Sequence, residues 1–186
     1  MADGLRMTWN GGRFPNSGKE GHAMVLGTIV TTAAAVGSAI AGGVYANFSA
    51  RVMPRLAELP DAHGISTMQQ FNRDAVQAPF MTVFFGSAAL SVAVIARAVG
   101  RPERAWYDWV AAGGSALYLL GFAVTIGYNV PRNERLAAVV ADSPAAVQVW
   151  HDYLREWTTA NSLCAAMSLA GAAALGLAAA ALARSE

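Results

Sequence analysis

Apolar positions run in four long stretches, and the charged residues fall between them. Residues 23–50, 75–96, 109–131 and 157–183 contain no Lys, Arg, Asp or Glu; the windows are 28, 22, 23 and 27 residues long. A helix crossing a hydrocarbon core needs about 20 apolar residues. Each window therefore predicts one spanning helix. The first is expected over about 23–50, with small residues at Gly27, Gly37, Ala41, Gly42 and Gly43 that let helix backbones approach closely. Pro54 is expected to end it, and Pro60-Asp61-Ala62-His63-Gly64 to form a turn. Ser66 then suits the cap of a short amphipathic helix carrying Met68, Phe71 and Asn72. The second span is expected over about 75–96, with Pro79 in its first turns. The third is expected over about 105–128, with Trp106, Tyr107 and Trp109 as an interfacial belt. Asn129-Val130-Pro131-Arg132-Asn133 is expected to break it before a short helix over about 132–141. Asp142-Ser143-Pro144 predicts a helix start. That helix can run unbroken to Arg184, roughly 60 Å and twice a hydrocarbon core, so its first half is expected outside the membrane or over the bundle mouth.

The expected fold is all-α: a transmembrane four-helix bundle over residues 23–184, with a long, protruding fourth helix and short amphipathic helices in the 1–2 and 3–4 connections. Residues 1–22, rich in Gly and polar residues, predict a flexible tail. The run from Met24 continues past Val36, longer than a signal core, so it is expected to be a retained span. Met7 and Met24 stay open as alternative starts.

Composition narrows the class. With 55% hydrophobic residues and 25 Lys, Arg, Asp and Glu among 186, the chain is neither an ordinary soluble domain nor disordered. One cysteine, Cys164, excludes a disulfide-built module. A formal net charge of +1 gives no case for a nucleic-acid partner. Four spans place the tail, the 2–3 turn and the C-terminus on one side. Arg97, Arg101 and Arg104 cluster there around one short turn, so both termini are expected in the cytoplasm.

The opposite side gathers a different chemistry. Topology brings Asn47, Arg51, Asn72, Gln77, Tyr128, Asn129, Asn133, His151, Tyr153, Trp157 and Asn161 to one mouth of the bundle. Polar groups at membrane depth usually face the bundle interior or a wet cavity. Trp150, Tyr153, Trp157 and Asn161 share one helical face. That stripe suits either plain helix packing or an amide- and aromatic-lined pocket for a flat, partly polar molecule. No metal motif is present. His63 and His151 fall on the same side, so a two-histidine metal site stays open, although such histidines are more often solvated. Cys164 reads as packing rather than a nucleophile.

These residues also carry a resemblance. Gly43-Val44-Tyr45-Ala46-Asn47-Phe48 leads into Val52-Met53-Pro54-Arg55-Leu56. Met68-Gln69-Gln70-Phe71-Asn72-Arg73 and Pro79-Phe80 follow. The third span ends Thr125-Ile126-Gly127-Tyr128-Asn129-Val130-Pro131-Arg132-Asn133. The fourth helix carries Trp150-His151-Asp152-Tyr153 and Trp157-Thr158-Thr159-Ala160-Asn161. Over about residues 27–182 the chain resembles the anthrone oxygenase-like family of small four-helix membrane proteins. The resemblance implies a membrane oxygenase, a monooxygenase of secondary metabolism, that oxidises an anthrone- or hydroquinone-like aromatic with dioxygen. His151 or Asp152 can then act as base and Arg51 as charge partner. Asn72, Asn129, Asn133 and Asn161, with Asn47 beside them, can donate hydrogen bonds to the substrate anion, and Tyr153 and Trp157 can stack on its ring. That scheme requires no cofactor; a metal or haem stays open. The implied partners are a lipophilic small molecule, dioxygen and the bilayer, with a homo-oligomer left open. The family often continues Asn-His-x-Arg where this chain has Asn161-Ser162-Leu163-Cys164. The missing His and Arg favour the alternative, a non-enzymatic membrane binding, assembly or transport accessory.

Overall fold

The computed structural model describes residues 17–77 and 79–185, and every regular element among them is helical. In chain order these are α1 (Ser17–Asn47), a π-helical turn (Phe48–Val52), α2 (Met53–Ala57), α3 (Asp61–Ala75), α4 (Phe80–Gly100) and α5 (Trp106–Val124). A second π-turn (Thr125–Asn129), α6 (Val130–Ala137) and α7 (Pro144–Ala183) complete the chain. Four helical stretches are long and apolar enough to cross a membrane: Gly21–Ala57, Phe80–Gly100, Trp106–Ala137 and Pro144–Ala183. The expected bundle is present. α7 packs between α1 and α5, and α4 closes the ring against the other sides of those two.

Several expected boundaries move. The tail reading falls mostly on residues 1–16, outside the described residues, and Ser17 onward is already helical. Neither Pro54 nor Pro131 ends a helix. Each follows a π-turn whose closing bond comes from the residue just before the proline: Met53 N–H donates to the Phe48 carbonyl, and Val130 N–H to that of Thr125. Proline removes an amide and crowds the carbonyl four residues back. A turn already bonded five residues back absorbs both defects, so the helix continues past each proline. Residues 61–64 form no turn, because α3 begins at Asp61. Gly64 lets the Trp150 indole and the Leu56 carbonyl close on α3; a Cβ there would stand 2.8 and 2.9 Å from them. Ser66 caps nothing, its hydroxyl donating instead to the His63 carbonyl at 3.1 Å. α4 starts at Phe80, with Pro79 as its N-cap. α7 starts at Pro144 and runs 40 residues, as the sequence predicts.

The core has three layers. At the mouth, Met53, Leu56, Ile65, Met68, Leu136, Trp150 and Tyr153 lock α2, α3 and α6 onto the protruding part of α7. The middle holds Tyr45, Phe84, Tyr118 and Cys164, and the far end Ala34, Val94, Ala111 and Leu175. Small residues set the α5–α7 spacing: a Cβ on Gly171 would lie 2.7 Å from the Gly114 carbonyl oxygen. Gly171→Ala is therefore expected to force α5 and α7 apart and to destabilise the bundle by about 1–3 kcal/mol. Thermal unfolding in detergent checks this; an unchanged melting temperature would mean that the backbones give way freely.

Candidate functional site

The two π-turns, the start of α4, α3 and the middle of α7 converge below the mouth. Tyr45 and Phe48, three residues apart, point inward from the end of the first span. Thr125 and Asn129 do so from the end of the third. α3 lies across the top with Phe71 and Asn72, and α7 supplies Trp157 and Asn161 from one side. Between them is a cavity of about 170 Å³, walled largely by apolar and aromatic side chains. Val76, Phe85 and Ile126 line it and are themselves exposed, so it opens on the apolar flank of the bundle.

Besides the Tyr45–Thr125 hydroxyl pair, its polar groups fall into three sets. Asn161 is a clasp: its Nδ2 donates to the Tyr45 carbonyl and the Ser49 hydroxyl, both at 2.8 Å. A change from four- to five-residue bonding leaves helix carbonyls short of amides, and Asn161 meets that need at the first π-turn. The second set is a relay at the wall. Tyr153 Oη donates to Asn133 Oδ1 at 2.8 Å and receives a long 3.4 Å contact from Asn72 Nδ2. The third set has no partners. Asn129 is 2% exposed, and neither its Nδ2 nor its Oδ1 makes a hydrogen bond. Trp157 Nε1 is likewise buried and unpaired. Each such group costs roughly 1–3 kcal/mol unless something fills its need. Tyr45 Oη, hydrogen-bonded to Thr125 Oγ1 at 3.0 Å, is the titratable group on the cavity wall.

The residues expected from sequence thus divide. Asn72, Asn129, Asn133, Trp157 and Asn161 line one cavity. Tyr153 stands behind it, stacked between Trp150 at 5.9 Å and Trp157 at 5.4 Å, and reaches it through its hydroxyl relay. The α7 stripe is therefore packing in its upper half and cavity wall in its lower half. Asn47, Arg51, His151 and Asp152 lie elsewhere. His151 is exposed, with Nε2 3.4 Å from Asp61 Oδ2. Asp152 pairs with Arg155 at 3.1 Å. Asn47 and Arg51 are exposed on the outer face of the first span. Helical geometry is the reason: each residue turns about 100°, so 151 and 152 point away from a face held by 150, 153 and 157, and Asn47 from one held by Tyr45. His63 is exposed on α3, and no group of three His, Cys, Asp or Glu suited to a metal occurs among the described residues. Cys164 is buried, its Sγ 3.4 Å from the Gly121 carbonyl. Sequence reasoning missed Tyr45, Phe48 and Thr125 as wall residues; the three-residue spacing of Tyr45 and Phe48 just before Pro54 is the signal that marks them.

Four apolar helices of membrane-spanning length define a multi-pass integral membrane protein, with an aromatic-walled cavity beneath the mouth. A sequence model of the anthrone oxygenase family matches residues 69–174, and the chain belongs to that family. Comparison with curated proteins and with solved structures finds no match.

Proposed function

We propose that the protein is a membrane oxygenase that takes a flat, lipophilic aromatic bearing phenol or ketone oxygens into the cavity beneath the mouth. The observation that carries this is the orphaned amide of Asn129, with the orphaned Trp157 N–H on the same wall. A buried amide with both a free donor and a free acceptor suits a ligand oxygen beside a hydroxyl. The cavity matches in size the roughly 150 Å³ apolar voids that hold one benzene ring. One ring then sits against Trp157, and the rest of a larger ligand lies in the flank opening between Val76, Phe85 and Ile126. That opening faces acyl chains, so the ligand arrives from the bilayer.

In the reaction a methylene carbon between aryl rings loses two hydrogens and gains one oxygen atom of dioxygen; the other oxygen leaves as water. The step begins with loss of a proton from that carbon to water or hydroxide, which places negative charge on the carbonyl oxygen across the ring. Donors fixed where this charge develops lower the barrier. Asn129 Nδ2 and Trp157 Nε1 are such donors. Asn72 and Asn133, tied through Tyr153, orient the far edge. The test is dioxygen uptake by the purified protein with an anthrone and with a hydroquinone. One dioxygen per anthrone, with label from ¹⁸O₂ in the new ketone, is expected. The absence of an imidazole or carboxylate from the cavity wall favours a second reading, a binding or carrier protein. Tight anthrone binding with no uptake above the detergent blank would select it.

For orientation, the arginine cluster around the α4–α5 turn supports a reading with both termini in the cytoplasm. A cysteine placed at residue 101 is expected to react with impermeant reagents only from the cytoplasmic face; labelling only from the other face would reverse this assignment.

A further inference from the structure

The far end of the bundle carries a second recess. A groove of about 910 Å³ lies between α1 and α4, walled by Met24, Leu26, Val30 and Ala93 and ending at Arg97 and Arg101. Trp106 and Trp109 are exposed at the same end. Interfacial aromatics sit at headgroup level, so the two arginines do as well.

The arginines are seated but poorly paired. The Arg97 guanidinium lies across Gly27, where a Cβ would come within 2.5 Å of its Nε. Both guanidinium groups approach a single oxygen, Asp108 Oδ1, Arg97 at 3.5 Å and Arg101 at 3.8 Å. Asp108 is 1% exposed, and its other oxygen accepts the Ala105 amide at 3.0 Å. A pair built for stability would meet at about 2.7–2.9 Å, often through two bonds. Each guanidinium has five N–H donors, and one long contact apiece leaves most of them for another acceptor. Among the described residues no second carboxylate lies within ion-pair distance of either. Glu103 is exposed on the groove's rim, and Arg104 bonds the Ala98 and Val99 carbonyls.

We propose that this groove binds an anionic phospholipid, its phosphate held by Arg97 and Arg101 and an acyl chain lying against Met24, Leu26, Val30 and Ala93. Basic pockets between spans recognise lipid headgroups in this way. The phosphate supplies the acceptors that Asp108 does not.

The test uses the full-length protein in detergent, titrated with phosphatidylglycerol and with phosphatidylcholine of the same acyl chains. Native mass spectrometry and thermal unfolding are the readouts. Phosphatidylglycerol is expected to form a one-to-one adduct and raise the melting temperature, and phosphatidylcholine to do neither at the same concentration. Arg101→Gln is expected to weaken phosphatidylglycerol binding about tenfold or more while leaving the lipid-free melting temperature near wild type. Arg97→Gln disturbs packing against Gly27 and Asp108, so the Arg101 variant decides. Equal binding of the two lipids, or undiminished phosphatidylglycerol binding by Arg101→Gln, overturns the proposal. So does an equal shift from glycerophosphoglycerol, which lacks chains and would mark a free phosphate-ester site. Absence of any lipid adduct overturns it too.

Discussion

Replacing Asn129 with Leu is expected to raise the melting temperature of the ligand-free protein and to cut turnover by about 10²–10³. The two effects have one cause. Asn129 is buried at the last residue of the second π-turn, and neither polar atom of its amide has a partner. Around it are aromatic and aliphatic walls, and beyond them lipid, where no bulk water meets the need. Each unmet group costs roughly 1–3 kcal/mol. Leu has the same branched shape, no polar atoms and a somewhat larger volume that the adjoining cavity can take, so the substitution removes that cost and is expected to stabilise the bundle by about 1–3 kcal/mol. For the substrate the sign reverses. Losing a fixed donor to a developing oxyanion costs about 10²–10³ in kcat, and the free acceptor for a neighbouring hydroxyl is lost as well. Thermal unfolding with and without an anthrone, beside dioxygen uptake, measures both. A variant that is less stable than wild type, or one that turns over normally, would show that Asn129 is ordinary packing.

How much of this was legible in the sequence follows from what each feature depends on. The four spans depend on hydrophobic runs alone, and all four are present. The 40-residue α7 was legible because Ser143-Pro144 starts it and no proline or glycine pair interrupts it before Ala183. The continuity of the first and third spans was not legible. Proline is read as a stop, and a π-turn has no composition signature. Only in hindsight do Met53-Pro54-Arg55 and Val130-Pro131-Arg132 read as the same device used twice, a widened turn that carries a helix through a proline at the cavity rim. π-turns often mark functional sites because they shift the register of side chains. Here they turn Phe48 and Asn129 inward. The mouth amides were legible as a group from topology, which is why Asn72, Asn129, Asn133 and Asn161 meet. Asn47, Arg51, His151 and Asp152 were grouped with them by depth alone. Depth ignores rotation about the helix axis, and rotation is what sends them outward.

Trp157 and Asn161 separate ligand binding from support of the fold. Trp157 stacks on Tyr153 at an interplanar angle of 14° and meets Phe48 edge-on at 6.2 Å. Truncation to Ala deletes those contacts and enlarges the cavity, and is expected to cost about 3–5 kcal/mol of stability. That result alone would not distinguish a wall from a core. Trp157→Phe does so better, because it keeps one stacking ring and removes the unpaired Nε1–H with the rest of the indole's second ring. It is expected to cost about 1–2 kcal/mol, well below the Ala variant, while weakening anthrone binding about tenfold or more through the lost hydrogen bond. Asn161→Ala should behave in the opposite way. Its amide holds the Tyr45 carbonyl and the Ser49 hydroxyl across the α1–α7 contact, so its loss leaves a buried carbonyl unmet and is expected to destabilise by about 1–3 kcal/mol. Ligand affinity then falls only as far as the first π-turn loosens. Melting temperatures and anthrone dissociation constants for the three variants give the pattern. Full affinity in Trp157→Phe would remove the indole N–H from the site, and a stable, non-binding Asn161→Ala would move Asn161 from clasp to direct ligand contact.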